Sequence, residues 1–354
     1  MQVTDPRLAP EPIYADLIAP LLNDRRDAVF VGLMVQCALF AASGVVLFFV
    51  LGVNPWFAPV YWAAQFALLI DRFTLMLHCT SHRALFKPRY AALNNIIPWV
   101  LCPFFGQSPN TYFAHHMGMH HAEENLEFDL SSTMRFRRDS LLHWMSYWLR
   151  FLCFGLIELS QYFRRRNRTR LMWRTIVGEA TFWLTVGVLL AYRPGATLAV
   201  LLGPFLIMRT LMMMGNWAQH AFIDPNAAAS AYGSSITCIN SRYNRRCWND
   251  GYHIGHHLKA RAHWTEYPVE FERNVEQYGR EGAIVFEGID FFIVWLLLMT
   301  GSWGRLADAY VQLPGAPQRS REQIITLLKQ RVQHPVPYPA REALSGAAMS
   351  EQAV

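Results

Sequence analysis

The chain has 354 residues, of which 53% are hydrophobic, 14% aromatic and only 16% charged, and its mean hydropathy is +0.11. Soluble domains carry about 25% charged residues, so this composition points to a bilayer and away from an ordinary soluble protein. The net charge of +6 comes without a basic patch interleaved with aromatics; that excludes a nucleic-acid partner and leaves loop charge facing anionic lipid.

Residues 1–27 read as an interfacial or loose leader ending in Arg25-Arg26, too polar for a cleaved signal peptide. Residues 28–53 contain no charge, and a span needs roughly 20 apolar residues, so a first transmembrane helix is expected there. Asn54-Pro55 turns the chain. Residues 56–70 begin a second helix that continues through Asp71-Arg72 into His78. Residues 79–171 hold twelve Lys and Arg and the Asn54-Pro55 turn holds none, which places the N-terminus and residues 79–171 in the cytoplasm. Within that region, residues 90–105 and 141–159 are apolar but interrupted and read as helices in the interface or over a cavity.

Residues 175–192 form a third span with Glu179 as its only charge, Pro194-Gly195 turns the chain, and residues 196–219 return it into His220. Residues 283–303 contain Glu287 and Asp290 and read as an amphipathic cytoplasmic helix; residues 319–333 read as a surface helix. The expected architecture is an all-α, multi-pass integral membrane protein. Four transmembrane helices form two hairpins under a cytoplasmic helical cap, as a single domain over residues 1–334. A disordered tail follows over 335–354, with both termini cytoplasmic. Cys37, Cys79, Cys102, Cys153, Cys238 and Cys247 form no C-x-x-C pair, so reduced thiols are expected.

Four polar boxes interrupt this apolar chain. They are His78-x-x-x-His82, His116-x-x-x-His120-His121, Asn216-x-x-x-His220 and His253-x-x-His256-His257. The topology puts all four on the cytoplasmic side, and residues four apart share a helix face. Nine imidazoles exceed the four ligands of one zinc, and no Glu-x-x-His motif of the soluble di-iron bundles is present. Nine nitrogens, with Asn216 as a weak or water-bridged tenth donor, suit two metals with positions open to oxygen. Iron is the expected metal for oxygen activation, with copper and zinc left open. His115 precedes His116, so either can head the second box; the spacing of four to His120 favours His116.

The three boxes His78-Cys79-Thr80-Ser81-His82, His116-Met117-Gly118-Met119-His120-His121 and His253-Ile254-Gly255-His256-His257 resemble those of the membrane fatty acid desaturase superfamily. Asn216-Trp217-Ala218-Gln219-His220 resembles the extra ligand helix of acyl desaturases, and the resemblance covers about residues 30–270. It implies a non-haem di-iron oxidoreductase that uses O2 and outside electrons to oxidise an unactivated C–H bond of a fatty acyl chain. The acyl chain could be a free acid, a thioester or a lipid. Desaturation is the first expectation. Membrane alkane hydroxylases and desaturase-like decarboxylases that make terminal alkenes carry similar boxes, so those outcomes stay open. No His-Pro-Gly-Gly haem box or ferredoxin cysteine set appears, so a separate donor such as ferredoxin or cytochrome b5 is expected. The basic run from Arg164 to Arg170 suits an acidic carrier, the alternative being ordinary cytoplasmic loop charge. A metal-ion transporter would need ligands near the midplane; here the histidines sit at helix ends.

Asp71, His78 and His82 are spaced by seven and four, and Arg209, Asn216 and His220 repeat that spacing. Each charge therefore lies about 10 Å deeper than the box residue seven positions on, at about 1.5 Å per residue. An Asp71–Arg209 ion pair flooring the site is expected, the competing reading being that Arg209 anchors a fatty acid carboxylate. Glu123 and Glu124 follow the second box and are candidates to orient a ligand histidine, the alternative being a solvated turn.

Overall fold

The uncharged run over residues 28–53 folds as the long helix Arg25–Val50. Asp24 starts it by accepting the Arg26 N–H at 2.9 Å, and Gly52, at φ 67°, turns the chain beyond its end. Asn54 accepts the Trp56 N–H, and Pro55 fits the first turn of the next helix, Pro55–His82. Thr169–Tyr192 and Pro194–Gln219 follow later, so that among the described residues, 2–338 of this computed structural model, four helices are long and apolar enough to cross a membrane. Leu39, Val60, Leu184 and Val188 on these helices are exposed, as side chains meant for lipid must be.

The chain divides into two units. One consists of Leu8–Met117 and Leu156–Leu211 and contains almost all of the four long helices. Small residues let its helices approach closely: a Cβ on Gly44 would meet the Tyr61 ring, and one on Gly203 would meet Trp62. The Trp62 indole N–H donates to the Ala199 carbonyl at 2.7 Å, and Phe48, Ala58, Tyr61, Ala196, Ala199 and Val200 close a core around it. Val46–Val50, Phe66–Ile70 and Leu198–Leu202 are wide, π-helical turns inside the long helices. Residues 88–105 are helical in short pieces, broken at Tyr90.

The other unit consists of residues 2–7, Gly118–Gly155 and 212–338. It contains a parallel pair of strands, β1 (Ile236–Ile239) and β2 (Ile284–Glu287), with Ile236 opposite Ile284 and Cys238 opposite Phe286. Helices Phe291–Met299, Trp303–Ala309 and Arg321–Val332 pack on this pair through Val294, Leu298, Leu306 and Leu328. The continuous helix expected over residues 283–303 is therefore corrected. Ile284-Val285-Phe286 is a β-branched and aromatic run that pairs with β1. Gly288, at φ 78°, then turns the chain, and Asp290 caps the following helix by accepting the Ile293 N–H at 3.0 Å. The all-α expectation holds as a mostly helical fold with these two short strands added.

The loose leader is also corrected at its start, since Val3 and Asp5 are buried in this unit. The expected tail begins in contact: Val336 is buried and its N–H donates to the Met134 carbonyl at 2.7 Å. The rest of that tail, 339–354, lies outside the described residues. Arg138 is fully buried and donates to the carbonyls of Ala221, Phe136, Arg331 and His334 at 2.8, 2.7, 2.8 and 2.9 Å, joining three segments that follow one another nowhere in sequence.

Candidate metal centre

In the unit of long helices, His78 and His82 share a face one turn apart at the end of Pro55–His82, as i and i+4 residues do. Their ring centroids are 5.1 Å apart, and His116 lies 4.6 Å from His78 and 4.9 Å from His82. The Nε2 atoms of His82 and His116 are 2.9 Å apart, and Tyr112 stacks on His116 at 5.3 Å. Of the two histidines that could head the second box, His116 is one whose ring meets His82.

In the other unit, His120, His220, His253 and His257 point one ligand atom each into a common space, all within 4.8 Å of one another. The Nε2 of His253 lies 3.1 Å from that of His220 and 3.1 Å from that of His257. Outward contacts fix the tautomers. His220 Nδ1 must donate to the Ser234 carbonyl at 2.9 Å, and His120 Nδ1 meets the Asp129 carboxylate at 2.7 Å. The Nε2 atoms of these two rings are therefore bare lone pairs turned inward. Inward-turned ring nitrogens beside the Nε2 atoms of His253 and His257 make a donor set that fits a metal ion. The same unit brings His121 Nε2 to 2.9 Å from His256 Nε2, with His256 Nδ1 directed to the Tyr267 hydroxyl at 3.1 Å.

Burial, followed by the neighbouring His120, pushes the His220 imidazole down to about 3, and burial with His253 beside it pushes His257 well below the ordinary range. Both rings are thus neutral at physiological pH, the form that binds metal. His116 and His120, four apart, serve different groups.

Asp129 was not legible as a partner. It lies beyond the second box on a buried loop: Asn125 N–H donates to its Oδ2 at 2.9 Å, and the Ser131 N–H and hydroxyl donate to its Oδ1 at 2.7 and 2.6 Å. Asp129 is thus a carboxylate held against His120, and Glu123 and Glu124 lie where the box helix ends, Glu124 in left-handed backbone at φ 47°. A carboxylate gripped from four sides holds the His120 ring in one orientation, as metal-ligating histidines require. Asp129→Asn is expected to weaken metal retention about 10–100-fold. Iron left after timed chelator challenge measures this; wild-type retention would remove Asp129 from the site.

The same loop holds the Asn216 end of the fourth long helix. Asn216 Nδ2 donates to the Ser131 carbonyl at 3.0 Å and to the Tyr147 hydroxyl at 2.6 Å, and the Thr133 hydroxyl donates to the His220 carbonyl. Deeper in the long helices, Arg209 donates to Glu179 at 3.1 Å and to the Ser108 hydroxyl at 3.0 Å, with its guanidinium 4.2 Å from the Phe205 ring centre. Where an Asp71–Arg209 pairing is expected, the structure gives Arg209 a hydrogen bond to the Glu179 carboxylate, which lies inside the long helix Thr169–Tyr192. Asp71 accepts the Arg72 N–H at 2.7 Å.

Residues 54–288, well over half of the chain, match the family model described as Fatty acid desaturase. The chain belongs to the fatty acid desaturase family. No curated protein and no solved structure matches it. The region matched in this desaturase-family protein takes in every histidine described above, together with Asp129, Arg138, Glu179 and Arg209. Family membership makes the protein an oxidoreductase of the desaturase and hydroxylase kind, in a family that typically binds two irons and acts on fatty acyl chains at membranes.

Proposed function

We propose that this protein is a membrane di-iron oxidase that uses O2 and electrons from a separate carrier to desaturate a fatty acyl chain. The observation that carries this reading is the group of four imidazoles with two Nδ1 atoms committed outward, within a family that oxidises acyl chains. The nine histidines of the boxes, with Asn216 as a weak or water-bridged donor, would hold two irons, one of them at the four-histidine group. Bound iron would supply the oxidising power drawn from O2. The chain's own residues keep His220 and His257 neutral, direct His120 Nδ1 to Asp129, and bury the group away from water. The histidine boxes would face the cytoplasm, where the run from Arg164 to Arg170 is available to an acidic carrier.

A place for hydrocarbon exists among the long helices. An apolar cavity of about 510 Å³ is lined by Val45, Phe49, Trp99, Phe104, Thr185 and Leu189 among others. That volume lies within the range of ligand-holding pockets, and a cavity so poor in polar atoms suits an acyl tail. Thr185→Trp, which fills it, is expected to lower kcat/KM for long acyl chains about 10–200-fold while sparing short ones. Equal loss at all lengths would argue against a tail in this cavity.

The reaction itself is tested by mass spectrometry of lipids and headspace from cells expressing the chain and fed deuterated fatty acids, with His257→Ala as control. His257-dependent unsaturated chains support desaturation. A volatile alkene one carbon short of the feed replaces it with decarboxylation, and hydroxy acids replace it with hydroxylation.

A further inference from the structure

We propose that residues 3–7 form a strap that positions the third histidine box, with Asp5 as a positioning residue acting through Tyr252. This inference rests on the reading of the boxes as iron ligands. Asp5 is 3% exposed, although it lies in a polar stretch. Its Oδ2 accepts the Tyr252 hydroxyl at 2.6 Å, the Asn240 N–H at 2.7 Å and the Asn244 side-chain amide at 3.0 Å. Bonds to a carboxylate are the stronger kind, and three of them on one oxygen make Asp5 a fixed point.

That fixed point grips the residues directly before His253. Tyr252, the residue preceding helix His253–Leu258, is held by its hydroxyl, and its ring is buried edge-on against Phe271. Gly251 is held through Asn244, whose Oδ1 accepts the Gly251 N–H at 2.9 Å while its Nδ2 is bound to Asp5. The Asn249 side chain donates to the Pro6 carbonyl at 2.7 Å. From behind, β1 closes the grip: Cys238 N–H donates to the Gly251 carbonyl at 2.7 Å, and a Cβ on Gly251 would strike the Cys238 carbonyl. Thr4 and Arg7 add bonds to Asn240 and Glu272.

Two physical facts make the grip matter. Trp248 and Asn249 both sit in left-handed backbone, at φ 56° and 55°, a conformation that side-chain-bearing residues keep only when surrounding contacts impose it. Helix His253–Leu258 has six residues, too few to be stable alone, so the turn before it fixes where His253, His256 and His257 point. Metal bonds tolerate errors of only about 0.2 Å, so slack in the turn reaches the ligands.

The test compares wild type with Asp5→Ala, Asp5→Asn, Tyr252→Phe and the Asp5→Ala/Tyr252→Phe double variant in full-length protein in detergent. Release of Fe2+ to a chelator is one readout; amide hydrogen exchange of the metal-free protein is the other. Asp5→Ala and Tyr252→Phe are each expected to speed release about 10–100-fold. The double variant is expected to be no faster than Asp5→Ala, and Asp5→Asn, which keeps an acceptor oxygen, to recover most of the loss. Extra exchange should be confined to residues 237–258. Multiplicative effects in the double variant, or release at the wild-type rate in Asp5→Ala, would overturn the strap. Wild-type protein that binds no iron would instead overturn the proposed function. The exchange data would then decide the strap alone, unchanged protection of residues 253–258 in Asp5→Ala counting against it.

Discussion

Replacing His257 with alanine is expected to remove iron from the four-histidine group and reduce acyl oxidation to background. His257 meets the other three rings of the group at once, with centroids 4.6 Å from His253 and 5.3 Å from both His120 and His220, so its loss opens one side of the group. Removing a residue that merely orients a ligand typically weakens binding 10–100-fold, and removing the ligand should exceed about 100-fold. Metal analysis of the purified variant reads the loss directly, alongside product from labelled fatty acids. His143 supplies the control. Its Nδ1 accepts the Arg137 N–H at 2.8 Å, and His143→Ala is expected to keep full iron. An iron-replete and active His257→Ala protein would sink the assignment.

Arg138→Met is expected to destabilise the protein by at least about 1–3 kcal/mol, the cost of leaving even one buried acceptor unpaired. Burial pulls the guanidinium down to about 10, which still leaves it charged at neutral pH. Its charge is met by carbonyl oxygens at the end of helix Arg321–Val332 and just beyond His220, where carbonyl dipoles favour a cation. Its own backbone takes part as well, the N–H donating to the Val332 carbonyl at 2.8 Å and the carbonyl accepting the Trp217 indole N–H at 2.9 Å. Methionine fills the space but strands those acceptors. Arg138→Lys is expected to recover little, because one ammonium cannot reproduce a fork that reaches several carbonyls. Unfolding of the detergent-solubilised variants, followed by circular dichroism, gives the comparison. A midpoint for Arg138→Met within a degree or two of wild type would show the network to be dispensable.

What could be read from the chain beforehand follows from how local the determinants are. The long helices announce themselves by uninterrupted apolar runs, and the boxes by imidazoles a helical turn apart. Neither needs knowledge of distant contacts. Asp129 escaped because nothing distinguishes it from Glu123 and Glu124 until the loop folds and Ser131 and Asn125 turn it towards His120. Matching spacings pair Arg209 with Asp71, yet spacing along two helices does not say which third helix intervenes, and Glu179 comes from that helix. The strands β1 and β2 are four residues each and pair in parallel across a long stretch of chain, so neither shows a period long enough to separate from helix. Asp5 is the extreme case, since its partners lie some 240 residues away.

The wide turn Phe66–Ile70 in the second long helix has an evolutionary consequence. Such a turn is a regular helix carrying one inserted residue, with the flanking turns left in phase. An insertion or deletion elsewhere between that turn and His78 would swing the imidazoles by about 100° around the axis, since each residue of a helix with 3.6 per turn advances that much. At the wide turn itself, a lost residue lets the ordinary helix close up with His78 and His82 still aimed as before. Homologues are thus free to change the length of this helix at one place, and the ancestry of the family should show its gaps there rather than nearer the histidines.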